Sequence, residues 1–195
     1  TPVENYYVLQ DWLTTHRAPR VCYLSFQDAH MIMEDCFWTR TMYSHRFRRE
    51  QNLEILRTAE IFREPTIITD TYKTDFISYE LFLPNKYIAS IMNSGFNQRY
   101  EKNVVTQKRD ELHRGRYVAR GADEFEGGEK AALEEFYVNP IFEDYYRRLI
   151  AMCVENGIQV RIVKLPHPEN VGFTEEYKAQ FHEFYGNLQK DYTEI

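Results

Sequence analysis

Over the first fifteen residues apolar side chains recur at helical spacing. Val3, Tyr6, Leu9 and Leu13 fall on one face and predict a helix from Thr1 to about Thr15. Thr1 reads as its N-cap, Pro2 as the first helical residue and Glu4 as the partner in a capping box. Ala18-Pro19 closes it, because proline cannot continue the hydrogen-bond ladder. The next stretch, Arg20-Val21-Cys22-Tyr23-Leu24-Ser25-Phe26, is almost unbroken apolar sequence. It predicts a short strand buried on both faces, as in a parallel sheet.

The last third repeats this order. Asn139-Pro140 opens a helix with Glu143 and Asp144 in its first turn, where the dipole favours negative charge. Ile141, Tyr145, Leu149, Met152 and Cys153 form its apolar face, and Asn156-Gly157 ends it. A strand over Ile158–Leu165 follows and stops at Pro166-His167-Pro168. Thr174 caps a final helix with the stripe Tyr177, Phe181, Phe184 and Leu188. Helix–strand order repeated in this way implies crossover connections. The expected fold class is α/β: a parallel sheet flanked and covered on both sides by helices.

Between the two units, residues 27–138 form a long insertion. Helices are expected at Ala29–Trp38, Glu50–Arg63, Asp75–Leu83 and Asn85–Asn93, punctuated by Pro65 and Pro84. From about 101 to 130 the chain turns polar and collects Gly115, Gly121, Gly127 and Gly128, which predicts a loop, with a small hairpin around Arg116–Ala119. An insertion of this length serves either as a lid over a site or as a helical buttress. The 195 residues suit a single domain. A chain that opens on a helix cap is expected to be an internal piece, an incomplete domain, and Asp191–Ile195 stops as a strand would begin.

Composition adds limits. Tyr 15 and Phe 13 are high counts, which suit a large, partly polar core or a wet cleft. A net charge of -6 argues against non-specific nucleic-acid binding. The basic run Arg46-Phe47-Arg48-Arg49 is followed at once by Glu50 and reads as a solvated helix start. Cys22, Cys36 and Cys153 have no metal-ligand spacing, and an odd count is no disulfide framework. Cys22 and Cys153 read as small buried hydrophobes. No apolar run approaches the ~18 residues of a membrane span, and no signal peptide is seen. Without a Gly-x-Gly-x-x-Gly or a Walker-type lysine, no nucleotide cofactor is expected.

Ligands of open parallel sheets bind at the C-terminal ends of the strands. Here those ends are Ser25-Phe26-Gln27-Asp28-Ala29-His30 and Lys164-Leu165-Pro166-His167-Pro168-Glu169-Asn170. Ser25, Asp28, His30, His167 and Glu169 are the candidate substrate-binding residues, although loops after any strand are polar.

Thr1–Tyr7 with Pro19–Phe26, and later Glu155–Pro166, resemble the SGNH (GDSL-type) hydrolase superfamily. The similarity is to its envelope-associated branch, which includes D-alanine-transfer and alginate O-acetylation proteins. It covers both ends of the chain and little of the middle. It implies a three-layer, flavodoxin-like α/β fold and acyl transfer by a serine nucleophile, with no cofactor and no metal. The implied substrate is an envelope glycan or acyl ester, and the implied location extracytoplasmic or membrane-associated. In that family the nucleophile lies in a Gly-Asp-Ser block and the histidine in a late Asp-x-x-His block. The first block is absent from these 195 residues. The family's Gly-x-Asn-Asp block falls on Ser25-Phe26-Gln27-Asp28, which makes Gln27 the candidate oxyanion donor with a longer arm than asparagine. Asp110-Glu111-Leu112-His113 matches Asp-x-x-His formally but precedes the second strand. The chain by itself is therefore expected to be inactive.

Other constellations are weaker. His30 and Glu34 share a helix face without a third metal ligand. His167, held between two prolines, suits a pocket wall or a wet loop, and His182 suits a surface. Ser94-Gly95 lacks the flanking glycine of a nucleophile elbow. Besides the enzyme reading, the same scaffold could serve as a non-catalytic module that binds a glycan or a protein, with the aromatic stretch Tyr72–Tyr100 suited to stacking on sugars. An unrelated α/β domain with a ligand at the same strand ends is a third reading.

Overall fold

The structure, a computed structural model, describes residues 1–26, 31, 37–42, 46–68, 76, 101–102, 104–105, 108, 112, 131–133, 135–164 and 171–192. The chain divides into two units, one of Thr1–Asp70 with Gly127–Ile195 and one of Thr71–Glu126.

In the first unit, helix α1 spans Pro2–Thr15. The Thr1 backbone nitrogen and Oγ1 both donate to Glu4 Oε2, at 2.7 and 3.1 Å, so the expected cap is present. Strand β1, Val21–Phe26, follows. After a π-helical turn at Phe37–Thr41 come α2 (Arg49–Ile61) and α3 (Pro65–Ile68). Arg63 between them takes φ 54, a left-handed turn that separates the two helices. The basic run before α2 is more than a solvated start. Arg46 and Arg48 reach α1, each 2.8 Å from a carboxylate oxygen of Glu4 and Asp11 respectively, and Phe47 between them is buried.

Strand β2 is Ala131–Leu133, α4 Pro140–Glu155, β3 Gln159–Lys164, β4 Val171–Phe173 and α5 Glu175–Asp191. Asn139 caps α4 through Oδ1, which accepts from the Ile141 and Phe142 amides. Thr174 Oγ1 accepts from the Tyr177 amide and caps α5. Gly157, at φ 67, ends the turn after α4, and the Ile158 amide donates back to the Cys153 carbonyl at 2.8 Å. That return starts β3 beside β1.

β1 and β3 pair in parallel, from Val21 with Gln159 to Phe26 with Lys164. The fold is therefore α/β, with a two-stranded parallel sheet. A second parallel pair, β2 with β4, was not legible in the sequence, because each strand is only three residues long. One expectation is corrected. β1 is not buried on both faces, and the sheet it forms with β3 is not covered on both. Leu24 and Val160 are buried on one side, while Tyr23 (64% exposed), Arg161 and Val163 (41%) face outward. The strand alternates, as a half-covered sheet does; Tyr23 merely looks like core from composition.

α4 is the centre of the core. Ile141, Phe142, Tyr145, Tyr146, Leu149, Ile150 and Cys153 are all buried, a wider face than the single expected stripe, and Met152 is only half-buried. Tyr7 of α1, Phe37, Phe47, Phe142 and Tyr145 touch edge to face or at a tilt, with ring centres 5.6 to 6.2 Å apart. On α5, Tyr177, Phe181 and Leu188 are buried, and Phe136 packs against Tyr177, Phe181 and Phe184. Tyr7, Tyr145, Tyr146 and Tyr177 are thus core residues.

In the second unit, residues 101, 102, 104, 105, 108 and 112 are helical, within the stretch read as a loop. Their types are mostly helix-tolerant, and the glycines that predict a loop begin only at Gly115. The hairpin at 116–119, the helix at 85–93, and all but Phe76 of the helix at 75–83 lie outside the described residues.

Candidate functional site

β1 and β3 run the same way and finish together. Phe26 and Lys164 are register partners at their last positions, and residues 27–30 and 165–170 continue from that shared edge. Two backbone features fix the register. The Gly157 turn limits the connection from α4, and the Gln159 amide donates to the Arg20 carbonyl at 3.0 Å where the strands begin.

Of the sequence-derived candidates, Ser25 lies one position before this edge, exposed, and paired with Val163. It shares the outward face with Tyr23 and Arg161, whose guanidinium lies 5.9 Å from the Tyr23 ring centre. Gln27, Asp28, His30, His167 and Glu169 lie outside the described residues, as do Glu34, Ser94, Asp110 and His113. His182 is exposed on α5. Among the described residues, no three metal-ligating side chains converge, and no helix is long and apolar enough to cross a membrane.

Three features of the structure have no counterpart in the sequence reading. The first is an open groove of about 440 Å³ between α1 and α4, lined by Tyr6, Gln10, Leu13, Arg148, Glu155 and Asn156 among others. Arg148 is held there by Glu54 at 2.8 Å and Asp144 at 2.7 Å and lies 4.9 Å from the Tyr145 ring centre. Burial raises the Asp144 carboxyl above its usual range, against the pull of Arg148. The second is a groove of about 320 Å³ bordered by Phe136, Arg147, Gln180 and Phe184. Arg147 there bridges Glu143 and Asp191.

The third is a pair of free thiols, Cys22 of β1 and Cys153 of α4, close enough to shift each other's ionisation. The hydrogen bond from Cys153 favours the Cys22 thiolate and lowers that thiol to about 7, with burial opposing. The same bond, together with burial, raises Cys153. Each cysteine sits on an apolar run with no local mark of a partner so far along the chain, so only the alternation of β1 and the buried face of α4, superposed, could have suggested the contact.

The fold defines a class, an α/β protein with a two-stranded parallel sheet. No family model, curated protein or solved structure matches the chain.

Proposed function

We propose that this chain is part of an SGNH-type acyl-ester hydrolase or O-acyltransferase of the cell envelope, acting on a glycan or lipid ester. It supplies sheet, flanking helices and one oxyanion donor, and takes its nucleophile from outside these 195 residues. The observation that carries the proposal is the pairing of Phe26 with Lys164. The two parallel strands end side by side, and in the sequence Gln27, Asp28, His30, His167 and Glu169 follow those ends, where open α/β sheets hold substrate.

In this mechanism a serine attacks the ester carbonyl, a histidine takes the serine proton, and the Gln27 amide donates to the oxygen that becomes negative. The test uses the full-length protein. Labelling by a fluorophosphonate, which reacts with activated serines, together with hydrolysis of p-nitrophenyl acetate, is expected. Gln27→Ala should lower kcat roughly 100-fold with little change in KM. A full-length protein that neither labels nor cleaves the ester overturns the proposal.

A second reading, a non-catalytic module that binds a glycan or a protein, is favoured by the α1–α4 groove. Tyr6 lines it together with Gln10, Glu155 and Asn156, an aromatic ring beside hydrogen-bonding groups, the combination that holds a sugar. Retention on envelope polysaccharide without ester cleavage, lost in Tyr6→Ala, distinguishes it.

A further inference from the structure

The groove between α1 and α4 is built from two stripes at helical spacing. Tyr6, Gln10 and Leu13 come from α1, and Arg148, Met152 and Glu155 from α4. Its volume of about 440 Å³ is that of a small-ligand site, and Leu13 and Met152 make its lining partly apolar. Among the described residues, the Tyr6 hydroxyl and the Gln10 amide have no hydrogen-bond partner, and Glu155 has no ion pair. Asn156 Nδ2 donates to the Met152 carbonyl at 2.8 Å, which leaves its Oδ1 to accept from a ligand.

The charges give this groove a sign. Arg148 is occupied, because Glu54 at 2.8 Å and Asp144 at 2.7 Å take its guanidinium, and an anionic ligand would have to displace one of them. Glu155 is exposed and is the last residue of α4, where the helix dipole disfavours negative charge, and no basic residue stands in that turn to offset it. Tyr6 adds a half-buried aromatic ring, a group that attracts cations. An ammonium group pairs with Glu155, complements the end of α4 and leaves both Arg148 pairs intact. A metal ion would need more ligands, and among the described residues no three metal-ligating side chains converge.

We propose that the α1–α4 groove binds an amino sugar with a free amine, the ammonium paired with Glu155 and the hydroxylated body against Tyr6 and Gln10. This rests on the glycan-binding reading of the groove and narrows it, and it is independent of the acyl-transfer proposal. The test titrates the full chain, by calorimetry at about pH 6 where the amine is charged, with an oligomer of glucosamine and with the N-acetylated oligomer of the same length. The amine oligomer should bind roughly 5-fold more tightly, the scale of one exposed ion pair, and added salt should erase the difference. Glu155→Gln should erase it too, with binding of the acetylated oligomer unchanged and the melting temperature no lower, since it removes a charge from the unfavourable end of a helix. Glu176→Gln, exposed on α5 and outside the groove lining, should leave the preference intact. That control separates a site from the general attraction of a polycation to a chain of net charge -6. Equal binding of the two oligomers to the unaltered chain overturns the amino-sugar inference and leaves the glycan reading standing, whereas binding of neither overturns both. A preference that survives Glu155→Gln, or that Glu176→Gln removes as well, also overturns the inference.

Discussion

The hydroxyls of Tyr7 and Tyr145 lie 3.0 Å apart in the buried seam between α1 and α4, where no water is needed to satisfy either. Each ring also packs on Tyr6, at 5.0 and 5.5 Å between centres. The seam therefore combines apolar burial with one polar bond that sets which residues of the two helices meet. A buried pair of this kind contributes about 1 kcal/mol net, and more is lost when one partner is left alone. Tyr7→Phe and Tyr145→Phe should each destabilise by about 1 kcal/mol, and a double-mutant cycle in urea should return a coupling of similar size. A coupling of zero would mean that the two hydroxyls act independently.

The same seam predicts alkaline behaviour. Burial pushes Tyr145 up to about 12 and Tyr7 higher still, from an ordinary value near 10. A group whose folded value is raised lends stability that is complete below its unfolded value and is lost as pH climbs to the folded one. Stability should therefore hold up to about pH 10 and fall between about 10 and 12. Absorbance near the tyrosinate band, followed with circular dichroism, should show the buried tyrosines ionising together with loss of helix and not before it.

Asn139 joins three segments. Its amide donates to the Met31 carbonyl at 2.9 Å, its Oδ1 caps α4, and its Nδ2 donates to the buried Glu64 at 3.1 Å. Asn139→Ala removes the cap and one partner of a buried carboxylate, and should cost about 2 kcal/mol or more. Asn139→Asp keeps the cap but turns a donor toward Glu64 into a like charge. It should be at least as damaging as the alanine at neutral pH and recover toward acid, as read from urea midpoints.

Gly157 offers a test of backbone conformation alone. A Cβ there would meet nothing within 4 Å, yet φ is 67. Gly157→Ala should cost about 1 kcal/mol through left-handed strain with no clash, and Gly157→Asn distinctly less, since asparagine tolerates that region. Thermal melts of the two variants check the order.

Much of the first unit was written locally. Thr1, Pro2 and Glu4 announce α1; Asn139-Pro140 and Asn156-Gly157 bracket α4; Thr174 starts α5; each works through bonds to residues a few positions away, so the chain segment carries the whole signal. The two strands at Val21 and Gln159 and their parallel pairing also follow from the repeated helix–strand order. The tertiary structure decided which faces are covered. Tyr23 and Val163 are apolar and outward, a matter of what packs over a strand and not of the strand itself. It also decided the contacts between distant segments: Tyr7 with Tyr145, Asn139 with Glu64, Arg46 with Glu4. Such pairs leave no periodic trace, because each side chain obeys the rules of its own helix or strand, and only the folded chain brings the two together.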